Sequence, residues 1–160
     1  MTTNKEKGYL WLFKDKANFT TLPTDETFEG YMKAVLICAN GDGKLTPEER
    51  DWAVGHSAAF GASDSLLDKL LSYKADEDIE QVISMTPASS ASRRFLVYDA
   101  IRACSADGQY SDRERATVIR MAAKLGLSEE LVRQIEEVCL EEARLREKRL
   151  SLVYPEGAPL

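Results

Sequence analysis

With 160 residues, 44% of them hydrophobic and 30% charged, the chain is long enough to bury a core without staples and too apolar to be disordered along most of its length. A net charge of −6 argues against nucleic acid as a partner, because phosphate binding needs a concentrated basic face. The longest apolar stretches, AVLICA (34–39) and GYLWLF (8–13), fall far short of the ~20 residues of a membrane span and no signal peptide precedes them, so the expected location is the cytoplasm.

The first feature in chain order is the cluster Tyr9, Leu10, Trp11 and Phe13, expected to lie across the bundle as a lid or, if exposed, to form a partner-docking or membrane-surface patch. A helix follows from Thr24 as N-cap, with Phe28, Tyr31, Met32, Val35 and Cys38 at helical spacing, and it stops at NGDG (40–43). The next helix starts at TPEER (46–50), carries Trp52, Ala53, His56, Ala59 and Phe60 on its apolar side, and ends at Gly61. Shorter helices are predicted over 63–73 and 76–85, and TPASSAS (86–92) reads as a loop. Then the pattern restarts: FLVYDAIRACSADG, SDRERATVIRMAAKLG and LSEELVRQIEEV are three more helices. The last of these continues as LEEARLREKRLSL, whose mixed charges at i, i+4 spacing describe a solvated surface, and YPEGAPL is a loose tail.

Two of these segments are copies of one another at an offset of 65 residues. That register sets Asp42 on Asp107, Gly43 on Gly108, Thr46 on Ser111, Glu49 on Glu114 and Arg50 on Arg115, and further along Gly61 on Gly126, Ser63 on Ser128 and Leu66 on Leu131. Agreement at turn positions and core positions together indicates two related helical hairpins, neither able to cover its apolar side alone. The expected fold is all-α, a single-domain bundle of about seven helices with its two halves packed about a pseudo-two-fold axis. The expected boundaries are an N-terminal extension over 1–23 that packs on the bundle, a helical domain over 24–150 made of repeats 24–85 and 90–150, and the tail 151–160.

The stretch NGDGKLTPEE (40–49) resembles part of an EF-hand loop, which needs oxygens at positions 1, 3, 5, 7, 9 and 12 around a glycine at 6. With Gly43 at position 6, Asn40, Asp42 and Glu49 fit positions 3, 5 and 12, but position 1 is Cys38, a soft thiol that suits calcium badly. The second copy puts Ala103 at position 1, so a pair of EF-hands is not expected. Capping explains the same residues: Thr46, Pro47 and Glu49 form a capping box, Ser111 and Glu114 repeat it, and each Glu should turn back onto the N-cap amide. Asp42-Gly43 and Asp107-Gly108 then serve the turns. Capping is compatible with a weak metal role, because carboxylates gathered near paired loops can hold a divalent ion in the millimolar range.

Cys38, Cys104 and Cys139 are odd in number, lack CxxC spacing and lie in helical patterns, which describes reduced, buried, small hydrophobes. The NFT sequon (18–20) is a chance match in a chain with no secretion signal. His56, the one histidine, sits on an apolar face and reads as a core-lining or boundary residue. With no nucleophile elbow, phosphate loop or zinc-spaced ligands, no catalytic constellation assembles, and an enzyme would require a pocket around His56.

A helix ending in GDG or ADG, then a hydroxyl residue, then Glu three positions on, repeated about sixty residues later in a helical chain, resembles the TerB family of tellurite-resistance proteins over most of the span from Phe28 to Cys139. The resemblance implies a bacterial domain of paired helical hairpins associated with stress and resistance operons. It also implies that the acids at the motif positions, here Asp42, Glu49, Asp107 and Glu114, are candidates for metal binding and partner contacts. The chain departs from the pattern in having Gly41 where the second copy has Ala106, and in its long charged terminal helix. Tellurite is an oxyanion, whose capture wants basic groups and whose reduction wants exposed thiols. An acidic chain with buried thiols points to an indirect role. Two functions follow as expectations: a non-enzymatic scaffold or adaptor contacting other stress-resistance proteins, or a weak Ca²⁺/Mg²⁺ sensor built on the paired Asp-Gly loops. No cofactor beyond such a weakly bound divalent cation is expected, and a homodimer stays open.

Overall fold

The computed structural model describes residues 2–41 and 43–160. Among them are nine α-helices and no strand: α1 (Asn4–Ala17), α2 (Asp25–Ala39), α3 (Pro47–Ala59), α4 (Asp64–Ser72), α5 (Ile79–Ile83), α6 (Pro87–Ser90), α7 (Arg93–Cys104), α8 (Asp112–Lys124) and α9 (Glu129–Val153). The two beyond the expected seven are α1 and the single-turn α6. Both begin with a signal that the apolar periodicity overlooks. Thr3 and Glu6 form a capping box that starts α1, and Thr86 caps α6 with Pro87 in its first turn. Asp78 caps α5, whose first residue is therefore Ile79, later than the pattern from 76 suggests.

The hydrophobic content of α2 runs around its whole circumference, as in a helix surrounded by protein. Met32, Ala34, Val35, Leu36 and Ile37 are all buried, and α2 packs against α3, α4, α5, α6, α7 and α8. Each large aliphatic side chain removed from water this way contributes about 2 kcal/mol. Its counterpart α7 packs in turn on α8 and α9. The crossed pairs α2 with α8 and α3 with α7 are also in contact, which is the reciprocity that a pseudo-two-fold axis produces. Leu45 and Leu127 touch both clusters of buried side chains and so join the halves.

Equivalence of the halves extends to backbone detail. The bounds of α3 and α8 match at the 65-residue offset, as do the last residues of α2 and α7 and the first residues of α4 and α9. Gly43 and Gly108 have φ of 85° and 86°, the left-handed conformation that glycine adopts without cost. The turns before them use the same bonds: Gly41 N–H to Cys38 and Gly43 N–H to Asn40 in one, Ala106 N–H to Ala103 and Gly108 N–H to Ser105 in the other.

The halves part company at α9, which is 25 residues long although its last buried residue is Glu136. The N-terminal aromatic cluster is also divided. Phe13 stacks on Phe19 and meets Phe28 and Phe60 edge-on, whereas Trp11 is 64% exposed. Among the described residues, no helix is long and apolar enough to cross a membrane.

Candidate functional site

Three of the four sequence-predicted acids, Glu49, Asp107 and Glu114, lie near one another at the hairpin corners, where the charges of Asp107 and Glu114 act on Glu49. Asp42 lies outside the described residues. Glu49 and Glu114 occupy the first turns of α3 and α8, and Asp107 lies in the second corner. In the first copy the capping box is complete: the Glu49 N–H donates to Thr46 Oγ1 at 3.1 Å, and the Thr46 N–H donates to Glu49 Oε1 at 3.3 Å. The second copy keeps only half of it. The Glu114 N–H donates to Ser111 Oγ at 3.1 Å, but Glu114 Oε1 accepts from the Ser111 hydroxyl rather than from its amide. Expecting both glutamates on their N-cap amides was therefore wrong for Glu114, whose carboxylate is aimed by the hydroxyl instead. Asp107 Oδ1 accepts from the Gln109 N–H at 3.0 Å and holds the turn.

Glu49 is the unusual member. It is only 4% exposed, and among the described residues its Oε2 has no hydrogen-bond partner. Burial pushes its carboxyl up to about 6; the Thr46 hydrogen bonds oppose this, and the negative charges of Glu114 and Asp107 add to it. The fold has thus brought acids from both repeats within electrostatic reach of one another, as the internal repeat implies. Even so, among the described residues no group of three or more His, Cys, Asp or Glu stands close enough to hold an ion as placed.

Gly41, the departure from the repeat, has a packing cause. A Cβ there would lie 1.9 Å from Thr117 Cγ2 on α8, and Arg120 Nη2 donates to the Gly41 carbonyl at 3.1 Å. The first corner is therefore pressed against the second hairpin, and only glycine fits. The matched arginines also have structural partners: Arg50 donates to the Leu70 carbonyl at 2.7 Å, and Arg115 Nε donates to the buried Glu136 at 3.2 Å. Each ties its hairpin to the helix that follows.

At a distance from the corners, His56 is half-buried, stacked between Trp52 and Phe60 as a boundary histidine. Its Nε2 accepts from Lys16 Nζ at 2.6 Å, which places the ring proton on Nδ1. Lys16 also donates to Asp99 Oδ1 at 2.7 Å, and the Tyr31 hydroxyl donates to Asp99 Oδ2 at 2.7 Å. Burial, with the Lys16 charge beside it, lowers His56 to about 4, so the ring is neutral at pH 7. Sequence reasoning missed Lys16, Tyr31 and Asp99 as a group. The available signal was an aspartate inside the apolar run FLVYDAI, which is tolerated only when partners neutralise it. Burial also pushes the Cys38 thiol up to about 12 and the half-buried Cys139 thiol up to about 11.

No protein-family model matches the chain, and no curated protein does. Among solved structures it is similar to the crystal structure of a tellurite resistance protein from Nostoc punctiforme PCC 73102. The two share 41% sequence identity and a TM-score of 0.95, with all of both chains covered.

Proposed function

We propose that this chain, which belongs to the TerB-like family of tellurite-resistance proteins, is a non-enzymatic member that responds to a divalent cation at the paired corners. The observation that carries this reading is Glu49 Oε2, a buried carboxylate oxygen without a hydrogen-bond partner among the described residues, within electrostatic reach of acids supplied by the other repeat. Such an atom is costly to bury and fits a hard cation with oxygen ligands. Glu49, Glu114 and Asp107 would hold the ion, which would supply only charge neutralisation. Because the three do not already stand at ligating distance, affinity falls at the weak, millimolar end of the calcium scale, and binding is coupled to the approach of the two hairpins. An indirect part in resistance agrees with the thiols: with Cys38 near 12 and Cys139 near 11, neither presents a thiolate to an oxyanion at neutral pH.

Titration with Ca²⁺, Mg²⁺ and Zn²⁺ followed by amide NMR and calorimetry tests this reading. It expects shifts centred on Asp107, Glu49 and Glu114 that disappear in the Glu49→Gln/Asp107→Asn double variant. Absence of shifts at millimolar ion ends it.

The adaptor reading is favoured by a separate observation. Cys139 and Glu142 still hold α9 to Tyr98 of α7, but beyond Glu142 the helix carries Leu145, Leu152 and Val153 in solvent, with Leu152 72% exposed. Apolar side chains on an unsupported helix suit contact with another protein of the resistance system. Co-purification with the products of neighbouring genes, weakened by Leu145→Glu/Leu152→Glu, is the expected result. A chain that copurifies with none of them counts against it.

A further inference from the structure

A cavity of about 660 Å³ lies between α1, the segment after it, α2, α3 and the start of α7. That volume is in the range of small-molecule sites. All five phenylalanines of the chain line it, namely Phe13, Phe19, Phe28, Phe60 and Phe95. Collecting every Phe around one open space, instead of filling that space with them, leaves an apolar volume that a solute's hydrocarbon can occupy.

The polar groups on the wall are unevenly charged. Lys16 and Arg94 are cationic, His56 is neutral, and Asp99 is the one acid among the lining residues. Asp99 is 2% exposed and already engaged by Lys16 and Tyr31, with Arg102 3.9 Å away. Glu142 also acts on Lys16 from outside the wall and offsets Arg102. The Lys16 ammonium has three N–H groups, of which Asp99 and His56 take two. One remains for an acceptor. Arg94 is exposed at the rim beside Ala88 and Ala91, also exposed, which makes this side the mouth. In a chain of net charge −6, this wall carries a local positive excess and selects an anion.

We propose that the cavity binds an amphipathic monocarboxylate, with its hydrocarbon among the phenylalanine rings and its carboxylate drawn to the Lys16 and Arg94 cations. The site is independent of the acidic corners, so it is tested in chelator-containing buffer, where no divalent ion contributes.

The experiment is a calorimetric and amide-NMR titration of the full chain with sodium decanoate, using 1-decanol as the uncharged probe. One decanoate binds per chain, with shifts at Phe19, Ala91 and Arg94, and more tightly than decanol. Ala91→Trp blocks the mouth from an exposed position and lowers decanoate affinity by at least about tenfold, with the thermal melt showing that the variant is folded. Arg94→Gln weakens decanoate by about threefold to fivefold, as an exposed charge should, and leaves decanol unchanged. The proposal is overturned by absence of saturable decanoate binding up to about 1 mM, by undiminished binding in folded Ala91→Trp, or by decanol binding as tightly as decanoate.

Discussion

Replacing Glu49 by glutamine isolates what the buried carboxylate costs the fold. Glutamine keeps the side-chain oxygen that accepts from the Thr46 N–H, so the cap survives and only the charge is removed. In the folded chain the carboxyl is pushed from an ordinary 4.5 to about 6. A raised carboxyl binds its proton more tightly in the folded state. Its stabilising contribution is therefore complete below pH ~4.5 and is lost as pH rises through ~6. The rise corresponds to about 2 kcal/mol. Urea unfolding of both proteins in chelator, from pH 4 to 8, should show similar stabilities at the acid end. The glutamine variant should then gain on the wild type by about 2 kcal/mol between about pH 4.5 and 7. Using the difference between the two proteins cancels every other titrating group. Adding about 10 mM Mg²⁺ or Ca²⁺ should restore about 1.4 kcal/mol to the wild type alone if the dissociation constant is about 1 mM. A difference that stays flat across this pH range would refute the claim that Glu49 is held buried among like charges. A flat pH response together with a retained cation effect would move the ion to another site.

Three further outcomes are expected. Gly41→Ala drives a Cβ to within 1.9 Å of Thr117 Cγ2 and should cost about 1–3 kcal/mol by denaturant melt, much of it recovered in Gly41→Ala/Thr117→Ser. Asp99→Ala removes the counter-charge of the Lys16 ammonium, which keeps only neutral His56, and the acceptor of the Tyr31 hydroxyl, and should cost about 3–5 kcal/mol, whereas Asp99→Asn, which keeps an oxygen for one of them, should cost less. Thr46→Ala and Ser111→Ala should each lower stability by about 1 kcal/mol through their lost caps, and thermal melts without metal that do not respond would show that these caps contribute nothing.

Much of the fold was legible in the chain itself because its signals are local. Thr46-Pro47 with Glu49, Ser111 with Glu114, Ser63 and Ser128 each satisfy the first amides of the helix they start, within three residues. Gly43 and Gly108 mark the corners for the same short-range reason, a positive φ that side chains resist. The 65-residue register then implied the pairing of the halves, since two similar one-sided units cover their apolar faces most directly with each other. The capping box at Thr3 was equally local, although none of the residues of α1 is fully buried.

The remaining features depended on which surfaces meet, and no short window of residues encodes that. Gly41 is a glycine because α8, more than 70 residues away, presses Thr117 and Arg120 onto it. The acid at position 99 is tolerated because α1 brings Lys16 and α2 brings Tyr31 to it. Glu49 could be recognised as a cap from its neighbours alone, but its burial and its raised carboxyl exist only in the folded chain, where the charges of Glu114 and Asp107 from the second repeat add to its desolvation. Capping and turn energies are set over three or four residues and can be read along the chain. Desolvation and charge coupling act through space, so they take their values only once the two hairpins have packed.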